Sequence, residues 1–211
     1  MAREHNPQHE QWPGDTSIAK VDKTVKEAKQ WAIDTLNPNC GRKAAEYLKW
    51  TSADIALVQE VKVEEENRND YEDAARGTGW KLAVQACLLG DKGGLSAGTA
   101  IGCKKHIGMK NHNQEDIDAW PELAGRFSAK LIGAICKGGL VNGTCYLHSK
   151  VGVAHTRNQS TLHAMAAVIS RWGRQWIIGG DFNCTPDQLN SHGLAQASER
   201  GHRAAKHAHM W

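Results

Sequence analysis

Glu60 and the pair Asp181 and Asn183 have the residue types and spacing for chemistry on an anionic substrate. Each sits at the end of an apolar run: ADIALVQE closes on Gln59 and Glu60, and WIIGGDFN closes on Asp181 and Asn183. A third polar pair, Asn37 and Asn39, follows WAIDTL. Ligands of α/β sheets bind just beyond strand ends, so three such ends can meet at one place. Glu60 and Asp181 together suit a hard divalent cation, Mg²⁺ or Mn²⁺, which takes a few carboxylates plus water and phosphate oxygens. An aspartate beside such a phosphate can also take a proton from an attacking water. The asparagines would hold phosphate oxygens or orient the aspartate. Side chains alternate along an extended backbone, which predicts that Asp181 and Asn183 share an open face while Phe182 faces the core. Gly179-Gly180 permits a close backbone approach just before them. A single strand-end glutamate is ordinarily a surface residue, and GDFN by itself reads equally well as an Asx turn. The functional reading rests on the conjunction.

The elements that must position these residues follow from periodicity. WAIDTL reads as a strand that stops at Pro38, which cannot donate to a ladder. Residues 41–51 have Ala44, Tyr47 and Leu48 at helical spacing, and 55–58 is a short apolar run typical of a buried strand. Residues 64–76 form a charged surface helix. The run 80–89, the glycine-dense 90–98 and the returning TAIGCKK predict a hairpin. Residues 107–124 read as a loop. Strands follow at 127–136 and 143–147, punctuated by Gly138-Gly139 and Asn142-Gly143. A helix over 158–172 places Leu162, Met165, Ala166 and Ile169 on one face, and 175–179 is a final strand. Strands joined by helices and strands joined by hairpins alternate, which implies an α/β chain with mixed sheets.

At 211 residues the chain is long enough for one domain with a sizeable core. The expected division is a leader over 1–30, a domain over 31–190 and a polar tail over 191–211. No run of 18 apolar residues exists to span a membrane, and the polar N-terminus has no apolar secretory segment. An intracellular location is therefore expected, with the nucleus among the compartments open to it. The six cysteines lack CxxC spacing and read as free thiols, while the tail histidines His202, His207 and His209 read as solvated. Residues 31–80 are net acidic and 81–211 net basic, so the second part can face an anionic partner.

Read in order, NPNCG, ADIALVQE, GGLSAGTAIGCKK, GTCYLHS and IIGGDFNCTP resemble the endonuclease/exonuclease/phosphatase superfamily. The resemblance is strongest to abasic-site endonuclease-like domains, including those encoded by non-LTR retrotransposons. It runs from about Trp31 to Leu189. It implies a four-layer α-β-β-α sandwich with mixed sheets and Mg²⁺-dependent cleavage of phosphodiesters, with DNA as the expected partner. It assigns Glu60, Asn39 and Asp181 to the metal, Asn37 and Asn183 to the phosphate, and Asp181 to activation of water. Tyr146 matches a tyrosine that reaches the phosphate, with His148 its lesser neighbour. The family's closing Ser-Asp-His has no counterpart, since only Asp187 and Glu199 are acidic after Asn183. This leads to the expectation of a sandwich incomplete at its C-terminus and of weak turnover. It leaves open two alternatives: an inactive remnant, or a member acting on phospholipid or RNA.

Overall fold

The structure is a computed structural model, and it describes residues 30–90 and 93–191. The expected leader and the tail histidines lie outside the described residues. Two four-stranded sheets face each other. The first runs in the order β1 (Ile33–Leu36), β2 (Ile55–Gln59), β6 (Thr99–Lys104), β3 (Trp80–Gln85). The second runs in the order β10 (Trp176–Asp181), β9 (Leu140–Tyr146), β8 (Phe127–Ile132), β7 (Met109–Asn111). A two-stranded ribbon, β4 (Leu88–Leu89) with β5 (Leu95–Ser96), stands apart from both. In the first sheet β1 and β2 are parallel, and in the second β9 and β10 are parallel; the other neighbours are antiparallel.

Three buried clusters fill the spaces between four layers. Alternation along β2 sends Ala56 and Val58 outward, to Ala44 and Leu48 of α1 (Gly41–Trp50) and Ala75 of α2 (Arg68–Gly77). The same alternation sends Ile55 and Leu57 inward, against Ile101, Cys103 and Ile132 between the sheets. Behind the second sheet, Leu162, Met165 and Val168 of α4 (Thr156–Ser170) pack on Phe127, Ala129, Val141 and Cys145. This is the α-β-β-α sandwich with mixed sheets. Among the described residues, no helix is long and apolar enough to cross a membrane. All six cysteines are free.

Several boundaries differ from expectation for physical reasons. The strand over 80–89 divides, because the Cys87 N–H turns aside to donate to the Val63 carbonyl at 2.8 Å. Gln85 still pairs with Thr99, so the predicted hairpin exists and carries the β4–β5 ribbon as its extension. The segment 107–124 is not a loop: it holds β7, the short helix α3 (Gln114–Asp118) and a 3-10 turn at Pro121–Leu123. β8 ends at Ile132 rather than continuing to 136. Asn142-Gly143 is not a turn but lies inside β9, where a Cβ on Gly143 would come within 3.0 Å of Ile178 Cγ1 and 3.2 Å of Phe127. There the glycine serves packing, not chain reversal.

The two sheets are joined by polar as well as apolar contacts. The Gln59 side chain is 1% exposed, and its amide donates to Thr144 Oγ1 of the second sheet at 2.8 Å. The same amide nitrogen reaches the Leu57 carbonyl at 2.9 Å and Thr35 Oγ1 at 3.2 Å. Thr144 in turn donates to the Val58 carbonyl at 3.4 Å. On the next strand, a Cβ on Gly179 would lie 2.9 Å from Leu57 Cδ1 and 3.0 Å from Thr35 Oγ1, so only glycine lets β10 close on the first sheet. A Cβ on Gly180 would overlap the backbone carbonyl of Cys145, which cannot move aside. Gly180→Ala is therefore expected to destabilise the fold by about 1–3 kcal/mol or more, read as a lowered denaturant midpoint. Gln59→Leu keeps the volume but strands buried polar partners, and is expected to lose roughly 1–3 kcal/mol by the same measurement.

A candidate phosphate-processing site at four strand ends

The ends of β1, β2, β9 and β10 lie on one edge of the sandwich: β1 ends with β2 and β9 with β10, and Asn37, just past β1, bonds to Asp181 at the end of β10. Asp181 is the last residue of β10, two residues beyond the predicted end of that strand, and sits in register with Tyr146, the last of β9. Alternation along β10 holds up to this point. Phe182 is half-buried and packs with Trp176 and Ile178 on the helix side, while Asp181 faces the first sheet.

The carboxylate of Asp181 is fixed through both oxygens. Asn37 Nδ2 donates to Oδ2 at 2.7 Å, and the Asn183 backbone N–H donates to Oδ1 at 3.0 Å. Asn37 is itself held, since its Oδ1 accepts from the Asn39 backbone N–H at 3.1 Å. GDFN is thus an Asx turn and also the presentation of a carboxylate; the two readings describe one geometry. Asn183 leaves the strand with φ +48°, and its side-chain amide donates to the Leu147 carbonyl at 2.7 Å. It fixes the turn after β9 and does not continue the face of Asp181 by simple alternation. Asn39 and Glu60 also have left-handed backbones, φ +64° and +55°. A glutamate in that region is uncommon, and the turn it makes directs the chain off β2 immediately after Gln59.

Glu60 pairs with Lys62 at 3.1 Å, with its side chain only 13% exposed. Glu60 and Asp181 meet at Tyr146. Burial pushes the Tyr146 hydroxyl above its ordinary pKa, the negative charge of Glu60 and a hydrogen bond to it push further, and Asp181 adds to the shift. Sequence reasoning did not find the buried Arg126, one residue before β8. Its guanidinium lies 5.5 Å over the Tyr146 ring and donates to the Tyr146 carbonyl at 3.3 Å. Burial lowers its pKa, opposed by Tyr146, Cys145 and Glu60. An arginine so little solvated is poised to gain from any anion that enters.

Of these residues, Arg126 and Tyr146 line a cleft of about 440 Å³, together with His148, Ser149, His155 and Arg157 among others. His148 is placed by Asn158, which is fully buried: Asn158 Oδ1 accepts from the His148 N–H at 2.7 Å, and its amide donates to the carbonyls of His148 and Gly152 at 3.0 and 2.9 Å. The signal for Asn158 was present in the sequence, four residues before Leu162 on the apolar face of the helix. Arg126 carried no such signal. Among the described residues, no three His, Cys, Asp or Glu side chains form a metal cluster. Glu60 and Asp181 offer carboxylate oxygens, the donors that a hydrated hard cation takes.

Comparison with known proteins agrees with the architecture. The model of the Endonuclease/Exonuclease/phosphatase family matches residues 33–208. A crystal structure of the AP endonuclease LMAP from Leishmania major superposes with a TM-score of 0.51 at 16% identity, over 72% of this chain. This chain covers 54% of that one, about half its length. No curated protein sequence matches. The family model spans most of the chain, and the solved structure shares its fold: the chain belongs to the endonuclease/exonuclease/phosphatase family.

Proposed function

We propose that this domain hydrolyses phosphodiester bonds of DNA with the help of a divalent cation, Mg²⁺ or Mn²⁺. The observation that carries the reading is the double fixation of Asp181, by Asn37 from the opposite sheet and by its own turn, in register with Tyr146, which lines an arginine-bearing cleft. A carboxylate aimed so firmly suits a group that must accept a proton along one direction. The printed name of the Leishmania structure, an AP endonuclease, supports a nucleic-acid substrate for this chain as well.

Glu60, with Asn39 and Asp181, would hold the cation, which supplies charge neutralisation on the phosphate when bound. The chain's own groups do the rest. Asp181 takes the proton of a water whose oxygen bonds to phosphorus as the bond to the leaving sugar oxygen breaks; that oxygen departs with the bonding pair and takes a proton from solvent. Asn37 keeps the accepting carboxylate oriented throughout. Tyr146 stays a neutral phenol and donates a hydrogen bond to a phosphate oxygen. Arg126 lies against the tyrosine ring and balances the charge that develops there.

Asp181→Asn and Glu60→Gln are expected to reduce Mg²⁺-dependent cleavage of an abasic-site or nicked duplex by about 10²-fold or more, measured by gel assay with the fold checked by circular dichroism. Unaltered cleavage in Asp181→Asn would remove the proposed base. Tyr146 gives a pH test. Its folded pKa lies above its ordinary 10.0, so the phenol's hydrogen bonds persist below that pH and are lost only as pH rises through the shifted value. The rate ratio of wild type to Tyr146→Phe is therefore expected to stay constant from about pH 6 to 9, where an unshifted acid of pKa ~10 is still protonated. A ratio that falls steadily across that window would mean that the phenolate forms there.

A further inference from the structure

The far end of the first sheet carries a surface that the strand-end site does not use. β2 starts there at Ile55, paired with Cys103 of β6, so Lys104 and the turn after it lie about 17 Å from Glu60 along the strand. Lys104 is engaged in holding this end together. Its Nζ donates to the Thr51 carbonyl just past α1 at 3.1 Å and stands 4.0 Å over the Trp80 ring, while the Trp80 indole donates to the Leu48 carbonyl at 2.7 Å. These contacts bring the last turn of α1 beside the β6–β7 turn. Trp50, the last residue of α1, is 70% exposed, the most of any described tryptophan. Lys49, Lys105 and His106 are exposed at the same end, and among the described residues none of them is in an ion pair. The half-buried acids are engaged: Asp34 accepts from the Tyr47 and Thr51 hydroxyls, and Asp54 from the Ala32 N–H. Glu46, one turn earlier on α1, is exposed and opposes the lysines.

We infer that this end of the domain binds single-stranded nucleic acid, away from the catalytic edge, with a base stacked on the Trp50 indole and the flanking phosphates on Lys49 and Lys105. The inference goes beyond the phosphodiesterase reading, which uses none of these residues. Core packing does not account for Trp50, because the buried face of α1 is made by Ala44 and Leu48, against Ala56 and Val58 of β2. A lysine in the last turn of a helix suits the helix dipole, which accounts for Lys49; Lys105, in the β6–β7 turn, belongs to no helix. A flat aromatic face beside cations is the pairing that grips a single strand, since every base has a π-face and every nucleotide a phosphate. A duplex hides its base faces by stacking and offers the lysines alone. An anionic membrane would meet the same cations, but a helix lying in a membrane surface inserts its apolar face, and that of α1 is turned to the sheet. RNA and DNA share the base and the phosphate, so the chemistry named here is common to both.

The test uses the 1–211 chain in EDTA, so that binding is read whether or not the chain cuts. Short fluorescein-labelled oligomers of dT and of U, and an intact DNA duplex, are followed by anisotropy. Trp50→Ala, at an exposed position and with its fold checked by circular dichroism, is expected to weaken binding of the single strands about tenfold. It is expected to leave the affinity for the duplex unchanged. Trp50→Phe keeps a ring to stack on and is expected to retain most of the affinity. Lys105→Gln is expected to lower the slope of log affinity against log salt by about 0.7 for the single strands. Equal affinity for dT and U upholds the surface as a reader of base and phosphate; tighter binding to one upholds it and names the source. Single-strand binding that survives Trp50→Ala overturns the inference, as does an equal loss of duplex binding in that variant. Tighter binding to phosphatidylserine vesicles than to either oligomer, lost in Trp50→Ala, overturns it in favour of a membrane.

Discussion

The amide of Gln59 is the contact on which the rest depends. It is a buried polar group at the seam of two sheets, and burying it without partners would cost several kcal/mol. It is tolerated because Thr35, Leu57 and Thr144 all lie within its reach, on both sheets. A purely apolar seam could slide by a residue with little penalty, whereas this bond requires one alignment of β2 against β9. Glu60 follows Gln59 directly, and Tyr146 lies two residues past Thr144 on the same face of β9. The alignment that satisfies the amide therefore also brings the glutamate and the tyrosine together.

Glycine does the same for the other half of the site. Asn37 reaches Asp181 across the sheets because nothing stands between Gly179 and the Leu57 and Thr35 side chains. Close approach of backbone, not length of side chain, brings the carboxylate within 2.7 Å of the asparagine. The left-handed turns at Asn39, Glu60 and Asn183 then lead the chain away from the mouth at three strand ends. Local backbone strain and close packing are concentrated at one edge, while the three apolar clusters hold the layers elsewhere.

Much of this was legible in the sequence, and what was not has physical reasons. The apolar run before Glu60 marks β2, buried along its whole length, and the run before Asp181 marks β10, a half-buried strand at the edge of its sheet. The glycine pair before Asp181 marked a close approach, which the contacts of Gly179 and Gly180 bear out. The segment 107–124 shows no period because its elements are too short for one: β7 has three residues and α3 five. Asn142-Gly143 misled because the dipeptide signals a turn only when no neighbouring side chain needs the space, and here Phe127 and Ile178 need it. Arg126 gave no local signal at all. Its role arises from β8 pairing with β9, which places the residue before Phe127 against Tyr146, a relation that exists only in three dimensions.

The bond between Asn37 and Asp181 joins residues 144 positions apart. For a chain emerging from a ribosome, this has a definite consequence. The strands of the first sheet all lie between Ile33 and Lys104, so that sheet can pair and gather α1 and α2 while β9 and β10 are still being made. Loop-closure entropy places the most distant contact last. Until β10 arrives, the face of the first sheet that will meet it stays open, with Leu57 uncovered and Asn37 without its carboxylate partner. The nascent first half is then a partly uncovered body in need of shelter from aggregation, and Asp181 meets Asn37 only when β10 docks.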